Sequence, residues 1–428
     1  MATLESIFYT PHRAIVEGQK VRWEPIGTGN VIRALPQIHW SDGRPWREAN
    51  LWALENAASR DVDIKTVQAN MTSIHAYAKW LERTNTDWWY FPQRKADRCL
   101  VRYRGALIEA RDAGEIAPST ASQRMRVAIR FYRWLRANGL FSPEWPMWQE
   151  RIIGLHLTDP VGFDRTLMVT TTDLSIRNRP ARGERLEDGL LPIAAKHRDE
   201  LLGFARTHAS EELFLILTLG FFTGMRLQTL TALTIQSVER AIPDPSTPEL
   251  YRIAVGPGAS PPVATKFGIT GDIWITKAHL EALREYCFST RRLTRQALAS
   301  PEHRNLIFLT RFGNPYAQRG SDKSVAVNTE LHSLRKAALL EGMTFMRGFR
   351  FHQSRCTFAT ELARLLISVG AGANAIAIVK DALLHKDEAT SLKYIKFVER
   401  SPLKEEAANA FTQAFLGITT DRAQIAYA

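Results

Sequence analysis

The sequence predicts a mainly α protein: a helical block, then a mixed, mostly helical block with a small antiparallel sheet. Three observations carry this. Apolar residues recur at steps of three and four between about 49 and 138, and helical patterns return from Ala194 onward. Only Tyr251–Val255, Ile273–Ile275 and Leu306–Leu309 read as strands. The chain has 428 residues, room for two or three domains at ~100–200 residues each. With 45% hydrophobic and 23% charged residues, wholesale disorder and fibrous classes are excluded.

In chain order, residues 1–48 are rich in Gly, Pro and Trp and weakly periodic, which predicts an extended arm or small appended element. Residues 49–145 are the helical block. After Ile64, the residues Val67, Met71, Ile74, Ala78 and Leu81 form one apolar stripe. Arg98–Ala110 reads as a second helix. Ser119–Arg136 reads as a third, with Ser119 as its cap and Asn138-Gly139 as its stop. Residues 146–190, with several prolines nearby and the polar run Arg177–Arg185, are expected to be a linker. Residues 191–400 hold the second block. The apolar run Leu213–Phe222, broken only by Thr218 and Gly220, falls far short of the ~20 residues of a membrane span and reads as a buried helix. In 401–428, Leu403, Ala407, Ala410, Phe411 and Phe415 recur at helical spacing and predict a terminal helix.

The N-terminus lacks the basic-then-apolar pattern of a secretory signal. Cys99, Cys287 and Cys356 stand far apart without a CxxC, which argues against a disulfide framework or a cysteine-rich zinc site. A reduced, cytoplasmic (nucleoid-associated) setting and no membrane partner are the expectation.

Charge narrows the function. Lys+Arg 56 against Asp+Glu 44 gives +12, and the isoelectric point is about 9.7. Such a balance points to a polyanion, most often nucleic acid. The third helix carries arginines at 124, 126, 130, 133 and 136 and no acid. Met125, Ala128, Phe131, Tyr132 and Leu135 fall on one side, Arg126, Arg130 and Arg133 on the other. A merely solvated face would normally interleave opposite charges, so these three are expected on phosphates.

Four short segments bear chemistry. They are Phe222-Thr223-Gly224-Met225-Arg226; Thr265-Lys266-Phe267-Gly268; His352-Gln353-Ser354-Arg355; and Leu383-Leu384-His385, with Tyr394 nine residues later. Each is weak alone, and Lys277 lies near enough to rival Lys266. Together they have a logic. Two arginines can grip the non-bridging oxygens of one phosphodiester and compensate charge that builds in a pentacovalent transition state. A tyrosine, with a free pKa of about 10, needs such a field and a neighbouring base to act as a nucleophile. A lysine on a turn can protonate the departing oxygen, and histidines can move the remaining protons. Nothing in this set calls for a metal, and no acidic cluster is present to hold one.

This order and spacing resembles the tyrosine recombinase (phage integrase) family. By resemblance, Arg226 is the first arginine, Lys266 the β-turn lysine, His352 and Arg355 the H-x-x-R box, His385 the late histidine and Tyr394 the nucleophile. Thr357-Phe358-Ala359-Thr360 and Ile307-Phe308-Leu309-Thr310 are also similar, and 49–138, ending in Phe131-Tyr132-Arg133-Trp134-Leu135, is similar to the family's core-binding domain. The resemblance covers about 50–145 and 190–400. It implies a site-specific recombinase that cuts and rejoins double-stranded DNA through a 3′-phosphotyrosine, without cofactor, ATP or metal, to integrate, excise or resolve a mobile element. It also implies a dimer or tetramer on DNA, a C-terminal helix docking in trans, and an accessory directionality factor. A type IB topoisomerase-like enzyme, a telomere resolvase, and an inactive DNA-binding accessory protein are the alternatives. The chain departs from the family at three places. Thr229 stands where an acid commonly follows the first arginine, Leu384 where a glycine precedes the late histidine, and Gln353 where the box often has an acid.

Overall fold

The computed structural model describes residues 1–400 except 19, 27–30, 60–61, 159–163, 179–185 and 318–323. The predicted terminal helix in 401–428, and with it the docking segment, lies outside the described residues. Two compact units are present, Met1–Arg182 and Gly183–Ala428.

In the first unit, β1 (Thr3–Tyr9) pairs antiparallel with β4 (Ile32–His39), and β2 (His12–Glu17) pairs with β3 (Lys20–Pro25). Four helices follow: α1 (Arg47–Ala58), α2 (Ile64–Arg83), α3 (Cys99–Asp112) and α4 (Pro118–Ala137). The stripe predicted on α2 is buried throughout, as is the apolar side predicted on α4. Asp63 caps α2 by accepting from the Lys65 amide. The cap expected for α4 at Ser119 is not there. Ala117 is the N-cap and Pro118 occupies the first turn, where its missing N–H has no partner to lose.

Residues 1–48, expected as an arm or small appended element, contribute to the core through β4: Leu35 and Ile38 enter the same apolar cluster as Trp52, Ile74 and Phe131. Burying side chains of this size contributes about 1.5–3 kcal/mol each. The expected linker, 146–190, holds a long antiparallel hairpin of β5 (Glu150–Thr158) and β6 (Asp164–Thr172). Proline content hid it, although Pro143, Pro146, Pro160 and Pro180 all lie outside the paired residues in sequence.

The second unit contains α5 (Ala195–His208), α6 (Glu211–Thr223), α7 (Leu227–Thr231) and α8 (Ile235–Glu239). A three-stranded antiparallel sheet follows, in the order β7 (Ile242–Asp244), β8 (Thr247–Val255), β9 (Gly271–Thr276). Then come α9 (Lys277–Cys287), α10 (Thr290–Leu298), α11 (Val325–Leu340), α12 (His352–Ser368) and α13 (Gly372–Leu383). Helix resumes over 388–400. Leu306–Leu309, expected as a strand, makes only isolated bridges, Thr234 to Leu306 and Leu309 to Pro315. Ile307, Phe308 and Leu309 are buried, and that burial mimics a strand pattern in the sequence.

The apolar α6 lies at the centre of this unit and packs against α12. Gly220 permits the approach, since a Cβ there would sit 2.5 Å from Ser354 Oγ and 2.8 Å from the Phe351 ring. Among the described residues no helix is long and apolar enough to cross a membrane.

Candidate active site

Helix α6 begins at Ser210, whose hydroxyl accepts from the Leu213 amide at 3.1 Å. It ends at Gly224 in the left-handed region, φ 65°. A Cβ on Gly224 would lie 2.5 Å from Phe358 and 2.7 Å from Leu383, so the turn needs glycine both for its conformation and for its closeness to α12 and α13. Two residues on, the buried Arg226 is the N-cap of α7.

His352 and Arg355 lie on the first turn of α12, three residues apart and so on one face. The Arg355 guanidinium is almost fully buried. Nη1 donates to the Gly224 carbonyl at 2.7 Å and Nη2 to the Leu383 carbonyl at 2.8 Å. Both carbonyls are at helix C-termini, the negative ends of α6 and α13, where a cation is favoured.

Leu384 caps α13 in the left-handed region, φ 51°, and the His385 amide then donates to the Lys380 carbonyl at 3.0 Å. His385 Nδ1 lies 2.8 Å from Ser391 Oγ. Its ring stacks with Tyr394, 9° from parallel with centroids 6.0 Å apart. Tyr394, in the helical stretch 388–400, is completely buried beside Cys356, its hydroxyl 3.8 Å from the sulfur. Burial pushes the phenol well above its usual pKa, with Cys356 and Glu187 adding to the rise.

The structure therefore brings Arg226, His352, Arg355, His385 and Tyr394 together, and at their centre stands a residue that motif reasoning missed. Glu187 Oε1 accepts from Arg226 Nη2 at 2.5 Å, and Oε2 accepts from Arg355 Nε at 3.1 Å. The same Oε2 lies 3.5 Å from His385 Nε2, 3.8 Å from His352 Nε2, and 3.4 Å from the Tyr394 hydroxyl. Burial pushes this carboxyl up. The His385 imidazole and the charges of Arg355 and Arg226 outweigh that effect and hold it far below the usual carboxylate range. Desolvation pushes His385 down, and the two arginines reinforce that shift against the raising effect of Glu187.

Lys266 sits in a short 3₁₀ turn between β8 and β9, with Phe267 in the left-handed region, φ 64°. It lines one crevice with Arg226, Arg355 and Leu384. Its ammonium rests 5.5 Å from the centre of the exposed Phe267 ring, and Lys386 approaches the same ring at 5.7 Å. Lys277 begins α9 and does not line that crevice.

The arginines predicted to contact phosphates belong to the other unit. Arg126 and Arg130 are exposed. Arg133 is half-buried, lies 3.4 Å from Glu150 Oε1 and stacks 5.8 Å above Trp148. All three line a groove between α4 and Thr170–Thr172 of β6.

The sequence did contain one signal for Glu187. The acid absent at Thr229 left Arg226 in need of a carboxylate from elsewhere, and Glu187 supplies it from 39 residues upstream.

No protein-family model and no curated protein matches the sequence. Solved structures do match. An integrase of the transposon Tn1549, in complex with transposon right-end DNA, superposes with a TM-score of 0.50 at 12% identity, covering 84% of this chain and 99% of that one. The same integrase bound to a circular-intermediate DNA gives 0.50 at 13% identity, over 81% and 94% of the two chains. This chain has the fold of those DNA integrases. The mostly helical architecture with its small antiparallel sheets is consistent with that fold.

Proposed function

We propose that this protein is a site-specific DNA recombinase, cytoplasmic and acting on double-stranded DNA as a dimer or tetramer, that cuts and rejoins strands through Tyr394. The single observation that supports the reading most is the meeting of two guanidinium groups, two imidazoles and a phenol around one pair of anionic oxygens. That set is what phosphoryl transfer to a tyrosine requires.

In this reading Arg226 and Arg355 hold the non-bridging oxygens of the scissile phosphate. The Tyr394 oxygen attacks phosphorus, the bond to the 5′ oxygen breaks, and a 3′-phosphotyrosine forms. The phenolic proton passes to a histidine, His385, whose ring stacks with the phenol. Lys266 protonates the departing 5′ oxygen. A 5′-hydroxyl from a second duplex reverses these steps, so the energy of the phosphodiester is retained through the covalent link. Burial disfavours the phenolate in the resting site, so ionisation of Tyr394 awaits the phosphate and the charge redistribution that comes with it.

The test is a nicked suicide duplex carrying the target site. The wild-type chain should accumulate a covalent protein–DNA adduct. Tyr394→Phe should bind the duplex with nearly unchanged affinity and form none. An adduct that survives Tyr394→Phe assigns the nucleophile to another residue. Exchange between two differently labelled duplexes separates a recombinase from a topoisomerase, which would relax one duplex only.

A further inference from the structure

We propose that Glu187 sits in the seat of the scissile phosphate as an internal anion, and that the substrate must displace it. The inference rests on the recombinase reading and adds how that site is kept closed. Three geometric observations carry it.

The first is the range of its contacts. One carboxylate reaches both arginines, both histidines and the tyrosine hydroxyl, between 2.5 and 3.8 Å. A carboxylate placed only to brace an arginine would lie on the side away from the nucleophile. Glu187 Oε2 is instead 3.4 Å from the Tyr394 hydroxyl, on the side where the reacting phosphorus must come.

The second is the donor inventory of Arg355. Nη1 and Nη2 each donate one of their two N–H groups to the Gly224 and Leu383 carbonyls, and the edge bearing Nε faces the bound anion. Glu187 holds that edge. On Arg226, Nη2 is held by Glu187, while the buried Nε makes no hydrogen bond among the described residues. The site thus keeps a donor that the carboxylate does not use and that a phosphodiester could.

The third is what holds the segment in place. The Leu186 amide donates to the Leu190 carbonyl at 3.0 Å, and Leu186 is buried in one apolar cluster with Cys356, Ala359 and Tyr394. Gln353 Nε2 donates to the Leu191 carbonyl at 3.1 Å, and the Ile193 amide donates to Thr357 Oγ1 at 3.0 Å. The backbone is pinned on both sides of Glu187. Displacement is therefore a rotation of one flexible side chain, without unfolding of the segment.

Carboxylate and phosphodiester carry the same single charge on two oxygens. In the resting protein Glu187 compensates the two guanidinium groups and engages the tyrosine, so the nucleophile stays idle. A duplex bound well enough to press its phosphate into the seat ejects the carboxylate and frees the tyrosine in the same event.

The experiment uses the full chain and inorganic phosphate as probe. Glu187→Gln keeps the shape and removes the charge. In phosphate-free buffer it should melt below the wild type, because two buried guanidinium groups lose their counter-charge. Phosphate should raise its melting temperature in a saturable way, with an apparent affinity on the order of tenfold or more above that of the wild type. Adding Arg355→Ala to Glu187→Gln should remove the phosphate response. On limiting suicide duplex, Glu187→Gln should form adduct faster than the wild type. Should Glu187→Gln fail to fold, Glu187→Asp, with the charge kept and the reach shortened, should show the same phosphate response in weaker form. Folded variants indifferent to phosphate, or a phosphate response that survives loss of Arg355, overturn the proposal and leave Glu187 a brace for Arg226. The melting readout needs no DNA, so it stands apart from the recombinase reading, which fails if the wild type forms no adduct.

Discussion

A neutral imidazole is favoured at His385 because the ring is buried, with Arg355 and Arg226 close enough to repel a second positive charge. Glu187 opposes this, Ser391 holds Nδ1, and Tyr394 covers the ring face. The consequence has a definite sign. A histidine whose folded pKa lies below the unfolded 6.5 binds fewer protons folded than unfolded, so stability is present above about 6.5 and is lost as the pH falls below it. Glu187 acts in a separate window: its folded pKa is depressed, so its contribution holds above the unfolded 4.5 and declines only as the pH drops beneath that. Melting curves between pH 7.5 and 5.5 should therefore show acid destabilisation, and His385→Asn should reduce that slope; the half-buried His279, also shifted down by desolvation, adds to it. An unchanged slope would mean that His385 is already charged in the folded site. At this scale the sequence showed the residue types and hid their compensations. Leu384 stands where the resembling family has glycine and still adopts φ 51°, with Cδ2 in the space a Cβ on Gly271 would fill, 2.6 Å away. The pair is 113 positions apart, and no local pattern links them.

Among the elements, α4 was the most legible and the hairpin beside it the least. Five apolar residues at helical spacing fixed the buried side of α4, because a helix without tertiary burial is marginal in water and the stripe had to face a core. The hairpin has β-branched residues on both strands but sits among prolines and charges, and its pairing partner is the next strand, which no helical period reveals. Its position changes the expectation for the arginine face. Glu150, the first residue of β5, meets Arg133, so Arg126 and Arg130 carry the uncompensated charge. Each phosphate that a side chain ceases to neutralise should flatten the slope of log affinity against log salt by about 0.9. Replacing Arg126 and Arg130 with Gln should lower that slope by about 1.8, two such phosphates, across unrelated duplexes. Arg133→Gln alone should change it less, since Glu150 already neutralises that side chain. Equal effects for all three would show that the pair with Glu150 opens on DNA.

The whole molecule was legible as two blocks, because helical periodicity fades and returns. The boundary between them was not, because strands and loops leave weaker periodic traces than helices. Among the described residues, each apolar cluster draws its members from one unit only: Ala2 to Ile176 in the first, and Leu186 to Val398 in the second. The cores are chemically unlike. The first is aromatic, with Trp46 packed against Tyr77 and Phe131 and a hydroxyl pair of Tyr77 and Tyr132 2.8 Å apart at full burial. The second is aliphatic around α6, with the buried Glu212 held by Arg291, Arg295 and Tyr286. Two units whose apolar clusters share no members should melt as two cooperative transitions in calorimetry. Phe131→Ala opens a cavity in the first core alone and Leu217→Ala in the second alone. Each change should cost about 3–5 and 2–5 kcal/mol respectively. For units of this size that is roughly 2–4 °C per kcal/mol, so each substitution should pull one transition down by at least several degrees while the other stays in place. The phosphate response of Glu187→Gln should appear in the second transition and leave the first unmoved, since every group around that carboxylate comes from Gly183–Ala428. One transition displaced equally by Phe131→Ala and Leu217→Ala would instead show that the two cores fold as a single cooperative body.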